Sequence, residues 1–305
     1  MANSKEWVER ARDARIAIPG FNIPYLPMME PVIRALHDTD TLGFIMVAKL
    51  EWEKFEAGSL RAVRDEYLRQ GDRTHTRLHL DHVPVIDEDN RRCDYAGIFG
   101  LAIELGYDSV MIDGSRLPFE ENLRCTAEAV KLAAEGGCAI EAELGTVAGH
   151  ESGPLPPYEE LFARRHGFTD PNETRRFAEA TGVDWLSVAA GNLHGAISAA
   201  ARGMAKPTAR LDLELLSELH AAARVPLVLH GGTGIPADYV RRAFVAGIAK
   251  INIATAIRQP YEKSLAEGHA AAAARETVYR ETRRILEDEL GLAGSRRLLY
   301  PQETQ

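Results

Sequence analysis

Eight short runs of apolar and β-branched residues recur along the chain, separated by longer segments of helical period, and this alternation constrains the fold more than any other feature. The runs fall at residues 16–20, 43–48, 76–80, 109–112, 139–143, 185–189, 227–229 and 250–253. Strands that alternate with helices build parallel sheets, and eight such units close an α/β TIM barrel of about 250 residues. The expectation is therefore one (β/α)8 barrel domain over residues 1–305, with about 257–305 as a C-terminal helical extension carrying an alanine run. Among the helices, 119–135 is the plainest. Leu123, Ala127, Val130 and Ala134 repeat at the spacing of one buried face, and Pro118, Glu120 and Glu121 suit a helix start. Two insertions, 84–94 and 150–169, follow the third and fifth runs, on the side where a barrel carries its chemistry; the second reads as a mobile lid.

Composition narrows the function classes. A 45% hydrophobic content supports a large core, and a net charge of −9 with scattered arginines gives no footprint for nucleic acid. Cys93, Cys125 and Cys138 show no paired spacing, which suits reduced thiols and a cytoplasmic protein. The first eighteen residues are too charged for a secretory signal. No apolar run approaches the roughly 20 residues that span a bilayer, so no membrane partner is expected.

The chemistry gathers where the runs end. His82 follows the third run, Asp113 the fourth, Glu143 closes the fifth, His194 follows the sixth, His230 ends the seventh and Asn252 lies in the eighth. Each has an ordinary explanation alone, but a parallel barrel delivers all six to the end where active sites are built. Histidines from three strands, with a fourth position open, suit a catalytic zinc ion, and Asp81 beside His82 is then a ready acid or base. His79 faces away from Leu80 in strand geometry and reads as a packing or supporting residue. Gly231-Gly232-Thr233-Gly234 after the seventh run, paired with Asn252 and Thr255 on and after the eighth, would offer backbone N–H groups, hydroxyls and a carboxamide to a phosphate.

Six ordered motifs carry a family resemblance: Leu80-Asp81-His82, Val110-Met111-Ile112-Asp113-Gly114-Ser115, Glu141-Ala142-Glu143-Leu144-Gly145, Gly191-Asn192-Leu193-His194-Gly195, His230-Gly231-Gly232-Thr233-Gly234 and Lys250-Ile251-Asn252-Ile253-Ala254-Thr255. From Phe21-Asn22 through Thr255 the chain resembles the class II, zinc-dependent fructose-bisphosphate and tagatose-bisphosphate aldolases. The resemblance implies that His82, His194 and His230 hold the catalytic zinc, with Asp113 and Glu143 near an alternate or second metal position. Asp81 would move the proton of the hydroxyl whose oxygen becomes the aldehyde. Glu151 would exchange a proton with the enediolate carbon, although a solvated loop acid is its ordinary reading. Gly195, Gly231, Gly232, Thr233, Asn252 and Thr255 would hold the ketose phosphate, with Asn22 also at the substrate. A monovalent cation (sodium or potassium) near the glycine loops, and a homodimer or homotetramer, are typical of the family. The chemistry is consistent: cleavage leaves negative charge on an enediolate, which a Lewis-acidic metal stabilises without a lysine Schiff base.

The chain departs from the family pattern near the substrate. Lys49, within Lys49-Leu50-Glu51-Trp52-Glu53-Lys54, stands where a serine is usual. It either brings a cation to a carboxylate or other substrate group or extends from the strand end into water. Val83 replaces a glycine, Thr233 a serine, and Ala256 an acidic residue. No arginine motif for a second phosphate is evident, so the expected reaction is reversible cleavage of a phosphorylated ketose, or a ketose-like acid derivative, to dihydroxyacetone phosphate and an aldehyde. The alternatives are a zinc-dependent hydrolase on the same barrel and a sugar-phosphate binding protein without turnover.

Overall fold

A computed structural model describes residues 3–147, 157–193 and 209–300. Its strands are β1 (Ile18–Asn22), β2 (Gly43–Ala48), β3 (Thr76–Pro84), β4 (Ser109–Asp113), β5 (Ala139–Leu144), β6 (Trp185–Val188), β7 (Leu227–Leu229) and β8 (Ile248–Ile253). They hydrogen-bond in chain order, all parallel, and β8 returns to β1 to close the barrel. The fold is a TIM barrel. Six of the eight strands are buried along their whole length, and only the last residues of β3 and β4 break the pattern; strands covered on both faces read as continuous apolar runs for this reason.

Helices α1 (Ser4–Asp13), α2 (Met29–Asp38), α3 (Lys49–Lys54), α4 (Leu60–Gln70), α5 (Tyr95–Glu104), α6 (Phe119–Glu135), α7 (Tyr158–Ala163), α8 (Pro171–Thr181), α9 (Leu213–Ala223), α10 (Ala237–Val245) and α11 (Thr255–Ala266) follow in order. Beyond them α12 (Ala271–Arg284), a π-helical turn (Ile285–Glu289) and α13 (Ser295–Leu299) form the extension. It is fastened to the barrel: α12 packs on α11 and α2, with Arg275 paired to Glu30 at 2.6 Å and Arg34 to Glu276 at 2.7 Å. Among the described residues no helix is long and apolar enough to cross a membrane. Cys125 and Cys138 are buried and Cys93 half-buried, and all three are free thiols.

Two expectations shift. β1 begins and ends two residues later than the apolar pattern suggests, because Ile18 pairs with Lys250 and Asn22 with Met46. The shift places Asn22 at the strand end. Within β1 a Cβ at Gly20 would overlap the Met46 sulfur, so a side chain there would require Met46 to move aside. The bounds of α6 are as expected, but its buried face is Asn122, Cys125, Thr126, Ala129 and Ala133, turned from the predicted stripe. Ala134 is exposed. Polar groups cause the offset: Asn122 Nδ2 donates to the Glu143 carbonyl at 3.0 Å, and Thr126 Oγ1 donates to Asn122 Oδ1 at 3.1 Å.

Candidate active site

A regular strand would send Asp81 and His82 to opposite faces. β3 is irregular there: its pairing with β4 shifts register between Leu80 and Val83, and His82 has a φ of 28°. This bulge re-aims the backbone, as bulges beside active sites do, and brings both side chains to the barrel mouth.

His82 and His230 then meet. His82 Nε2 and His230 Nδ1 lie 2.8 Å apart, while their other ring nitrogens are engaged by carboxylates: His82 Nδ1 is 3.0 Å from Asp113 Oδ2, and His230 Nε2 is 2.7 Å from Glu141 Oε1. A carboxylate partner fixes the N–H on the outer nitrogen. The two facing nitrogens then both present lone pairs, which repel at this distance unless a proton or a cation lies between them. Glu143 adds a second sign. Its Oε2 is buried without a hydrogen bond, 3.6 Å from His230 Nδ1 and 3.8 Å from His82 Nδ1. Asp81, His82 and His230 form one group able to hold a metal ion, and His82, Asp113 and Glu143 form another. Paired imidazoles, an orphaned carboxylate oxygen and carboxylate-oriented rings fit a borderline-soft divalent cation.

The electrostatics follow from crowding. Burial works to lower His82, but Asp81, Asp113 and Glu143 outweigh it and push the imidazole up to about 10. Burial and the neighbouring Asp113 carboxylate raise Glu143 well above the carboxylate range. Against burial, His82 and Ser115 hold Asp113 well below that range; the Ser115 hydroxyl and N–H donate to its Oδ1 at 2.6 and 3.0 Å. Asp81 is likewise lowered, as His82, His230 and Lys250 overcome its burial. It is held between two carboxamides: Asn22 Nδ2 donates to Oδ2 and Asn252 Nδ2 to Oδ1, each at 2.9 Å.

Of the other expected residues, Gly231, Gly232 and Thr233 sit at the end of β7, beside the turn from β8 to Thr255, the first residue of α11. A Cβ on Gly232 would touch Ile251 and stand 3.6 Å from the Asn252 carbonyl, so these two segments adjoin. A cleft of about 970 Å³ shares Gly232, Thr233 and Gly234 but is otherwise lined by residues of α10, α11, α12 and neighbouring segments such as Ile251 and Ile285; neither His82 nor His230 borders it. Lys49 opens α3, with Nζ 2.5 Å from Glu53 and little exposure. Glu151, His194 and Gly195 lie outside the described residues, as does part of the expected lid, 150–169.

Three buried site residues, Glu141, Lys250 and Glu51, have no role in the sequence reading, and His79, read there as a packing or supporting residue, lies beside the first two. Glu141 accepts from Trp185 Nε1 at 2.7 Å and pairs with Lys250 Nζ at 2.9 Å, and Lys250 also donates to Asn252 Oδ1 at 2.6 Å. His79 is wholly buried near both acids, 3.7 Å from Glu141 and 3.8 Å from Asp81, and burial with Lys250 nearby lowers it to about 3. The third is Glu51, buried at the start of α3. A spacing of two was the available signal: His79 and Asp81, Glu141 and Glu143, and Lys250 and Asn252 each put two polar side chains on one face of a buried strand.

Comparison with known proteins agrees with this geometry. The family model "Fructose-bisphosphate aldolase class-II" matches residues 2–293. The chain belongs to the class II fructose-bisphosphate aldolase family. The crystal structure of the YdjI aldolase from Escherichia coli K12 is similar, with a TM-score of 0.76 and 27% identity over 97% of this chain and 99% of that one. A Coccidioides immitis protein, described provisionally as a fructose-1,6-biphosphate aldolase, gives 0.76 and 26% over 96% and 98%. A fructose-bisphosphate aldolase from Campylobacter jejuni, at 18% identity over 94% of each chain and a TM-score of 0.68, shares the fold. Family and neighbours make this chain an aldolase, a lyase of carbon–carbon bonds.

Proposed function

We propose that this aldolase reversibly cleaves a phosphorylated ketose, or a ketose-like acid derivative, to dihydroxyacetone phosphate and an aldehyde. The facing His82 and His230 nitrogens beside a doubly held Asp81 carry the reading. Zinc fits this donor set, with His194 as the third ligand and Asp113 and Glu143 at an alternate position. When bound, it supplies Lewis-acid stabilisation of the negative charge that cleavage leaves on the ketose half. Asp81 accepts the proton of the hydroxyl on the carbon that becomes the aldehyde, and the Asn22 and Asn252 carboxamides hold it aimed. Glu151 returns a proton to the carbon of the phosphate-bearing half. The Gly231–Thr233 turn and Thr255 hold the phosphate through backbone N–H groups and hydroxyls. Lys49 stands at the end of β2, where its cation, paired with Glu53 in this structure, suits a carboxylate or a different substituent at the substrate carbonyl.

The test is a cleavage assay on zinc-reconstituted protein over phosphorylated ketoses and their acid derivatives, with coupled detection of dihydroxyacetone phosphate. Release that stops on chelation supports the reading and identifies the sugar. If no compound releases it while one equivalent of zinc is bound, the proposed donor is wrong.

A further inference from the structure

Glu51 is a carboxylate that an ordinary helix start would leave in water. It is the third residue of α3, and its Oε2 accepts from the Ala48 N–H at 2.8 Å, reaching back as glutamates do at helix N-termini. Such a cap is normally solvent-exposed. Here the side chain is buried, and the same oxygen lies 3.4 Å from Asn22 Nδ2. That Nδ2 is the group that donates to Asp81 Oδ2. A continuous path therefore runs from the backbone at the end of β2, through Glu51 and the Asn22 carboxamide, to the proposed proton acceptor. Burying a second carboxyl beside Asp81 is costly; desolvation and the Asp81 charge push Glu51 up to about 8, although the Ala48 N–H works against them.

We propose that Glu51 is a positioning residue for Asp81: it fixes the Asn22 carboxamide so that Nδ2 is presented to Asp81 in the orientation the hydroxyl proton transfer needs. The assignment rests on the aldolase reading above. In that reading Asp81 serves the aldehyde half alone, whereas proton exchange at the carbon of dihydroxyacetone phosphate does not involve it. A loosened Asn22 should slow carbon–carbon cleavage and condensation and spare that exchange.

The experiment uses the full zinc-loaded chain as wild type, Glu51→Ala and Glu51→Gln. Condensation of dihydroxyacetone phosphate with a panel of aldehydes is measured beside solvent-deuterium exchange into dihydroxyacetone phosphate, with thermal unfolding as the folding control. For Glu51→Ala, kcat for condensation should fall about ten- to a hundredfold with KM little changed, while exchange stays within about twofold. Glu51→Gln keeps an acceptor oxygen of the same reach and should restore most of that loss. Unchanged condensation in Glu51→Ala overturns the assignment. So does a parallel loss of condensation and exchange, or a Glu51→Gln variant as slow as Glu51→Ala. Absence of both reactions in the wild type instead overturns the dihydroxyacetone phosphate reading, and the Glu51 assignment goes with it.

Discussion

The two ends of the barrel handle charge in opposite ways. At the N-terminal end, acids that precede strands are matched. Asp108 pairs with Arg73 at 2.6 Å and accepts from the Leu78 N–H, Asp184 pairs with Lys5 at 2.8 Å and accepts from the Ile140 N–H, and Asp40 meets Arg296, Arg297 and His75. At the C-terminal end Asp81, Asp113, Glu143 and Glu51 crowd two imidazoles and two carboxamides, and one Glu143 oxygen has no hydrogen bond. One end spends its charges on holding the chain together. The other keeps charge unneutralised where a cation and an anionic substrate are to bind, which is how functional sites come to hold perturbed groups.

Removing the proton acceptor should produce the largest effect. Asp81→Ala should lower aldol turnover by about 10²–10⁴-fold, the range of general acid–base catalysis, while zinc remains bound at wild-type stoichiometry. Kinetics beside metal analysis check this; unaltered turnover would remove Asp81 from the mechanism.

Lys250 tests whether the floor of the site behaves like the matched end. It and Glu141 are both fully buried and paired. Lys250→Met leaves Glu141 without its cation and should destabilise the fold by about 3–5 kcal/mol in denaturant titrations. Adding Glu141→Gln should recover part of the loss, because the stranded charge is then gone. A single variant as stable as wild type would mean that His230 and Trp185 alone suffice for Glu141.

Glu143 should behave in the reverse way. A carboxyl raised in the folded state loses stability as pH climbs from its ordinary value of about 4.3 towards the raised one. In chelated protein at neutral pH, Glu143→Gln should therefore cost nothing or add about 1 kcal/mol, an amide having no charge to desolvate. Zinc affinity should fall if Glu143 serves the alternate position. Marked destabilisation of the chelated variant would show that the carboxylate stabilises the fold itself.

This contrast explains what the sequence disclosed. The barrel was legible because strands buried on both faces are apolar throughout and the helices between them carry a different period. His82, His230, Asp113 and Glu143 were legible because glycines and acids interrupt the runs at one end. Glu141 and Lys250 were hidden inside runs whose apolar neighbours define the strands, and their pairing joins residues more than a hundred positions apart. The buried face of α6 was misread because Asn122 and Thr126 are buried for their hydrogen bonds, which hydrophobicity does not register. The bulge that turns Asp81 and His82 to one side leaves no compositional trace.

The smallest effect belongs to the matched end. Asp40 ties the start of β2 to α13 through Arg296 and Arg297, with Arg297 Nε at 2.7 Å, and receives His75 Nε2 at 3.4 Å. Burial acts to raise its carboxyl, but the two arginines and His75 outweigh that and hold it low. A depressed carboxylate contributes stability above its unfolded value, near 3.9, and loses it as pH falls through the folded one. Because Arg297 is largely exposed, solvent screening limits the gain, and Asp40→Asn should cost under about 1 kcal/mol at pH 7 with turnover unchanged. The stability gap between variant and wild type, followed by denaturant unfolding, should stay constant down to about pH 4 and close below it. A fall in turnover would mean that the matched end communicates with the site after all.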